Sequence, residues 1–378
     1  TPDIIFFSHG HDDHFNEETI SKFPKKWFES KIIAPRFNVS WWESELQKKF
    51  KKTFFLDHNE KYQIKDNIEL QVFINDKNEF DSSLKIKSNN RCLFLQTDNL
   101  MSEKEAKRIS KIDPIDIAFV IPFLTGVFPG FYKWDTDTLI KLANEKILKS
   151  LNYCAKTVKN LNPKYVVPYA CDIGYLGDKF HINLIHRHNK EDLAKIIKTK
   201  KIKSKPVILN PGDYIDLSKK VNIKIKNKVK TSTNESLIKF ANEKLEEYQK
   251  YKIKENKIKT PTINKLVKIF VNHLTRNIKD AKKFNFKTSI NIKESNIDKY
   301  ILLDFKNKMV KTTKTDPKKV NLKIEIESSK IRNLLSQKYP MNFATFHNGG
   351  YTCERKVMNL TQNEKKYWSW INNLDFFI

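Results

Sequence analysis

Over residues 1–220 short apolar runs alternate with helical segments, and this alternation, together with paired β segments, predicts an α/β fold with two sheets in a sandwich. A change of texture near residue 225 predicts a second, smaller α+β domain. The strand-like runs are Ile4–Phe7, Lys31–Ala34, Thr53–Leu56, Glu69–Ile74, Leu84–Lys87, Cys92–Gln96, Ile115–Ile121, Tyr165–Pro168 and Pro206–Leu209. Each is short and rich in β-branched or aromatic residues, as half-buried or buried strands are. Helical patterns fill Glu17–Lys22, Trp41–Lys48, Ser102–Ile109, Thr136–Leu161 and Lys190–Lys200. The expected domains are 1–225 and 226–378, with the basic stretch Lys219–Ser232 as an edge strand or connector. Beyond it, Asn234–Lys252 and Pro261–Lys282 read as amphipathic helices. Alternating segments follow at Phe284–Ile292, Tyr300–Phe305, Lys308–Thr313 and Val320–Ile326, then a Ser-capped helix at Ser328–Leu335.

Composition narrows the class. With 378 residues, 39% hydrophobic and 26 Phe, the chain can bury a large core. No apolar stretch approaches the roughly 18 residues of a membrane span, and no signal peptide is visible, so a cytoplasmic location is expected. Cys92, Cys154, Cys171 and Cys353 are far apart and form no paired motif, which argues against a zinc ribbon, an iron–sulfur cluster or a disulfide scaffold within these residues. The net charge of +27 invites a nucleic-acid reading, but only seven of the 71 basic residues are Arg. Arg is the residue of bidentate phosphate and base contacts. A Lys-rich balance is better matched to compositional drift, or to attraction of an anionic small-molecule substrate, than to a nucleic-acid partner.

The chemistry-bearing feature is the segment PDIIFFSHGHDDHF. Three imidazoles and two carboxylates (His9, His11, Asp12, Asp13, His14) fall within six residues, directly after the strand-like run Ile4–Phe7. A strand that ends in such a set holds its ligands on rigid backbone, and a dense His/Asp group suits a divalent transition metal. A second buried run, Leu93–Gln96, delivers Thr97-Asp98 at its tip. His58, and the loop His347-Asn348-Gly349-Gly350, read as structural. Gly126 to Trp134 is an aromatic loop that either lines a pocket or fills core.

The spacing His-x-His-x-Asp-His resembles the signature of the metallo-β-lactamase superfamily. That resemblance implies an αββα sandwich, with His9 and His11 assigned to one metal and Asp13 and His14 to the other. It implies Asp98 as the bridging carboxylate and Asp13 as the catalytic group that orients the nucleophile. The pattern then departs from the superfamily. No His lies in Ile74–Ser83, where a third is expected, so that Asp76, Asn78 or Asp81 is left to supply an oxygen ligand. Pro168-Tyr169-Ala170-Cys171-Asp172 stands in place of the final His, with His181, His186 and His188 close behind. Asp81 and His181 are therefore the possible additional ligands. Oxygen for nitrogen favours a harder metal such as iron over zinc.

These departures point to one branch. DIIFFSHGHDDHF, EFDSSLKI, IDIAFVIPFLTGVFPGF, KILKSLNYCAKTVKNLNPKYVVPYA and PGDYIDL make residues 3–217 similar to the metallo-β-lactamase-like domain of the CMP-N-acetylneuraminate hydroxylase family. The resemblance implies an iron-dependent oxygenase component acting on an anionic sugar-nucleotide-like substrate, with an electron-transfer partner. That family also carries a Rieske domain, whose two Cys and two His have no counterpart here. The first strands expected before the His motif are missing too, so the sandwich reads as N-terminally incomplete. The alternatives are a metal-dependent hydrolase of an ester, amide or phosphoester, and a binding protein whose site has decayed. A nuclease of the superfamily would be expected to keep the remaining His ligands and carry a nucleic-acid-binding insertion, and neither is present. The expected cofactor is one or two divalent ions, Fe or Zn, without a Rieske cluster.

Overall fold

A computed structural model of the chain describes all residues except 11–13, 39, 78–80, 124–127, 171–174, 186–188, 218–221, 226–233, 337–350, 356–360 and 373–378. It divides into two compact units. The first comprises residues 1–125, 144–173 and 188–232, and the second 126–143, 174–187 and 233–378.

The first unit is a four-layer sandwich. β1 (Ile4–Phe6), β2 (Lys31–Pro35) and β3 (Thr53–Leu56) form a small parallel sheet, with α1 (Glu17–Ser21) and α2 (Ser40–Lys49) in its connections. A seven-stranded mixed sheet follows. It is built from β4 (Lys61–Lys65), β5 (Ile68–Ile74), β6 (Ser82–Ser88), β7 (Arg91–Leu95), β8 (Ile117–Val120), β9 (Tyr165–Pro168) and β10 (Lys205–Pro206). Its strands lie in order β10-β9-β8-β7-β6-β5-β4, parallel from β10 to β7 and antiparallel from β7 to β4.

The period-2 alternation of β5 separates the layers, because successive side chains leave a strand on opposite faces. Val72 enters a core shared with Ile32, Ile33 and Ala34 of the small sheet and with Trp42 and Leu46 of α2. Its neighbour Phe73 points the other way. There it joins Phe94 in a core with α3 (Glu103–Ile112), α4 (Thr136–Leu161) and α6 (Lys190–Thr199), through Ile109, Leu151, Val158 and Leu193. Trp42 is fully buried, and its indole N–H donates to the carbonyl of Pro35 at 2.9 Å. That gives the large ring a polar partner inside the core. The layers therefore run helix, sheet, sheet, helix, the α/β sandwich expected from the alternation. Within the Lys219–Ser232 stretch, β12 (Asn222–Lys224) pairs antiparallel with β11 (Tyr214–Asp216).

The second unit contains α5 (His181–Ile185), α7 (Asn234–Glu243), α8 (Leu245–Lys257) and α9 (Ile263–Asp280). It continues with β13 (Lys287–Glu294), β14 (Ile297–Asp304), β15 (Met309–Thr313), β16 (Leu322–Glu327), α10 (Ser328–Ser336), β17 (Tyr351–Glu354) and α11 (Gln362–Asn372). Its five-stranded sheet has the order β15-β14-β13-β16-β17. The single helix expected over Asn234–Lys252 is two, broken at Lys244.

The division at residue 225 differs from what packs together. Residues 126–143 and 174–187 group with the second unit, because Phe131, Tyr132 and Ile182 are buried in its core. The backbone reinforces this: the N–H of Cys353 donates to Phe131 and the N–H of Lys133 donates to Cys353, extending β17. The aromatic loop is thus core here, with Arg355 lying over the rings of Phe128, Tyr132 and Trp134. Among the described residues, no helix is long and apolar enough to cross a membrane.

Candidate metal centre

Three of the expected ligands come together at strand ends of the first unit. His9 and His14 follow β1, and Asp98 follows β7. Nε2 of His9 lies 3.7 Å from Asp98 Oδ2, and Nε2 of His14 lies 3.5 Å from Asp98 Oδ1. One ligand atom from each of the three falls within 4.8 Å of the others. His9 is fully buried, while His14 and Asp98 are partly exposed. Asp81, just before β6, lies beside this group with Oδ1 3.8 Å from His9 Nε2.

These separations identify what the group can do. At 3.5–3.8 Å they are well beyond the usual N–H···O separation of about 2.9–3.0 Å. Donors bound at about 2.0–2.2 Å around one tetrahedral ion stand about 3.3–3.6 Å apart, close to the spacings seen. The residues present therefore fit a divalent ion, with two ring nitrogens and a carboxylate facing a common point.

The turns that aim these side chains are built from buried polar residues. Ser8 Oγ lies 3.0 Å from His9 Nδ1 and 3.3 Å from His14 Nδ1, tying both δ nitrogens so that both ε nitrogens face Asp98. Ser82 Oγ donates to the Ser8 carbonyl at 2.7 Å, and Thr97 Oγ1 donates to the Ser82 carbonyl. The β1 and β7 turns are thus linked through one serine of β6. Thr97 has φ +50°, a left-handed conformation that is strained for a β-branched residue. Around it, Ser83 Oγ donates to the Gln96 carbonyl, Gln96 Nε2 to the Asn99 carbonyl, and Asn99 Nδ2 to the Phe73 carbonyl. All three of these residues are fully buried. These bonds tie the Asp98 turn to β5 and β6, although the buried Asn99 Oδ1 finds no partner among the described residues.

Sequence reasoning assigned no part to Ser8 or Ser82 and read Thr97 only as the turn residue before Asp98; their hydroxyls bond to the imidazoles and turn carbonyls around the group. It also assigned nothing to Tyr169, which follows β9 where a His was expected. Burial first, and then the charge of Asp98, hold the Tyr169 phenol well above its ordinary pKa, while the Thr97 N–H pulls it the other way. Its ring packs edge-on against Phe119.

The remaining candidates divide as follows. His11, Asp13, Asn78, His186 and His188 lie outside the described residues. His181 belongs to the second unit, with Nε2 3.1 Å from the Gly130 carbonyl, and is not a member of the His9–His14–Asp98 group. Asp76 turns to α3, where its carboxylate accepts from the Ser102 N–H at 2.9 Å.

A four-layer αββα sandwich with a His/Asp cluster at its strand ends is the metallo-β-lactamase type of fold. Neither a family model nor a curated protein matches the chain. Among solved structures, it is similar to a putative metal-dependent hydrolase from Parabacteroides distasonis (17% identity, TM-score 0.34, covering 55% of this chain and 76% of that one). It is also similar to the metallo-β-lactamase fold protein YhfI from Bacillus subtilis (11%, 0.33, 55% and 74%). A third similarity is to Sterol Carrier Protein 2 Like 2 from Aedes aegypti (10%, 0.22, 27% and 97%). At these identities and TM-scores no property of these proteins is carried over to this chain.

Proposed function

We propose that the first unit is a metal-dependent hydrolase in which His9, His11, Asp13, His14 and Asp98 hold one or two divalent ions. The observation that carries this reading is the convergence of His9, His14 and Asp98, at spacings suited to a shared ion, from two separate strand ends. Held by these residues, a divalent ion would supply Lewis acidity, the chemistry that activates a water and polarises a carbonyl or phosphoryl oxygen. The chain's own part is to orient. Ser8 holds the two imidazoles, the strained Thr97 turn presents Asp98, and Asp13 aligns the nucleophile. The substrate class is an anionic ester, amide or phosphoester, drawn in by the +27 charge of the chain.

One observation favours a second reading. Asp81 stands against His9 where a third imidazole is expected, and an oxygen-rich set suits iron better than zinc. An iron-dependent oxygenase component resembling CMP-N-acetylneuraminate hydroxylase has this need, together with an electron-transfer partner.

Elemental mass spectrometry on protein purified without added metal, alongside His11→Ala and Asp98→Ala, tests both readings. Zinc retained by the wild type and lost in the variants supports hydrolysis, whereas iron supports the oxygenase component. No metal in any of the three proteins would leave a decayed binding site and overturn the enzyme reading.

A further inference from the structure

The outer face of the five-stranded sheet in the second unit carries a depression of about 220 Å³. Alternation along β13 sends Ile290 and Ile292 into the apolar core, and Ser289, Asn291 and Lys293 to the opposite face. Register sets the remaining walls. Tyr300 of β14 and Glu325 of β16 flank Asn291, Lys323 flanks Ser289, and Thr352 and Glu354 of β17 complete the edge. At roughly 30 Å³ per water, the space equals about seven waters, room for one monosaccharide-sized molecule.

Five of the seven charged side chains in this depression pair with one another. Glu325 pairs with Lys293 at 2.8 Å and with Lys133 at 3.4 Å, and Lys323 pairs with Asp316. Three lysines meet four carboxylates, a local balance set against +27 for the whole chain. That balance disfavours a free anion as the occupant. A metal ion is disfavoured too, since the carboxylates here do not converge as His9, His14 and Asp98 do; that trio is the group found among the described residues.

What remains is unfilled hydrogen-bonding capacity. Ser289 is 1% exposed, and its Oγ makes no hydrogen bond among the described residues. Asn291 donates through Nδ2 to Asp298 at 3.1 Å, yet its Oδ1 accepts nothing among the described residues. A buried polar atom without a partner carries an uncompensated desolvation cost, which a bound donor or acceptor recovers. Hydroxyl groups both donate and accept, so a polyol can satisfy such a mixed array, while the half-buried Tyr300 ring offers an apolar face to C–H groups.

We propose that this depression is a binding site for a neutral, hydroxyl-rich ligand of monosaccharide size. Saturation-transfer NMR and calorimetry on the full chain, with D-glucose, D-galactose and N-acetyl-D-glucosamine as probes, test it. At least one of these sugars is expected to bind with a Kd on the order of 1 mM, the range open to so small a ligand. Asn291→Ala and Tyr300→Ala are each expected to weaken that binding about 10-fold or more with the melting temperature kept, and Ser289→Ala to weaken it less. Absence of saturable binding by all three sugars overturns the proposal. So does sugar binding that the variants leave unchanged, or calcium or inorganic phosphate binding at these residues in place of sugar.

Discussion

Ser8 Oγ sits 3.0 Å from Nδ1 of His9, and the same oxygen is shared with Nδ1 of His14. For both ε nitrogens to bind an ion, both δ nitrogens must carry their protons, and a hydroxyl oxygen with two lone pairs can accept both N–H groups. Ser8→Ala is therefore expected to weaken metal binding by about 10–100-fold, the usual cost of losing such an orienting partner. Chelator competition with zinc measures this. An affinity unchanged from the wild type would show that Ser8 plays no part in aiming the imidazoles.

Thr97 links the two halves of the site by donating to the Ser82 carbonyl. Thr97→Val keeps the shape of the side chain and removes the donor, leaving a buried carbonyl short of a partner. A loss of about 1–3 kcal/mol in stability is expected, together with weaker metal retention. Denaturant melts read the first and elemental analysis the second. Full stability with full metal content would count against the link.

Two buried cations in the chain are expected to respond differently to removal. In the second unit Arg355 and Glu364 form an ion pair with both side chains 2% exposed, and Tyr132 also donates to Glu364 at 2.5 Å. Arg355→Met leaves that carboxylate buried without its cation and is expected to cost about 3–5 kcal/mol. In the first unit Lys85 pairs with Asp113 at 2.9 Å, but Asp113 also holds Lys87 at 2.6 Å. Lys85→Met keeps one cation on the carboxylate, so a change within about 1 kcal/mol is expected. Denaturant melts of the two variants compare them directly, and equal losses would contradict this account.

His273 on α9 makes the second unit sensitive to acid. Burial, and then the charge of Arg276, push its pKa down to about 4, and Asn277 Nδ2 lies 2.9 Å from its Nε2, a contact suited to the neutral ring. Between about pH 6.5 and pH 4 the unfolded state binds the extra proton, so stability falls as pH drops through that window and is fully present above it. The contribution is at most about 3 kcal/mol. Thermal melts at pH 7 and pH 4.5 should show a smaller drop in His273→Gln than in the wild type. Parallel pH profiles would rule His273 out as the cause.

The layers were legible in the sequence because they follow from period and face. Val72 and Phe73 differ by one residue and so enter different cores, and the alternation that places them is local. The helix Thr136–Leu161 was legible for the same reason, being long and continuously periodic. His9, His14 and Asp98 were legible because His and Asp at the tips of apolar strands have few structural uses. Segment membership was not. Residues 126–143 and 174–187 lie amid the first unit in sequence, yet pack into the second core, since Phe131 and Ile182 choose their partners across distances that local pattern does not encode.

The sequence by itself determined the donor types, the strand ends that carry them and the sandwich that brings those ends within reach. Only the tertiary structure decided that Ser8, Ser82 and Thr97 tie the two turns together, that Tyr169 packs edge-on against Phe119, and that His181 belongs to the other unit. The physical reason is range. Composition and periodicity act over a few residues, whereas the orientation of a ligand depends on hydrogen bonds such as that from Ser82 to Ser8, made between residues 74 positions apart.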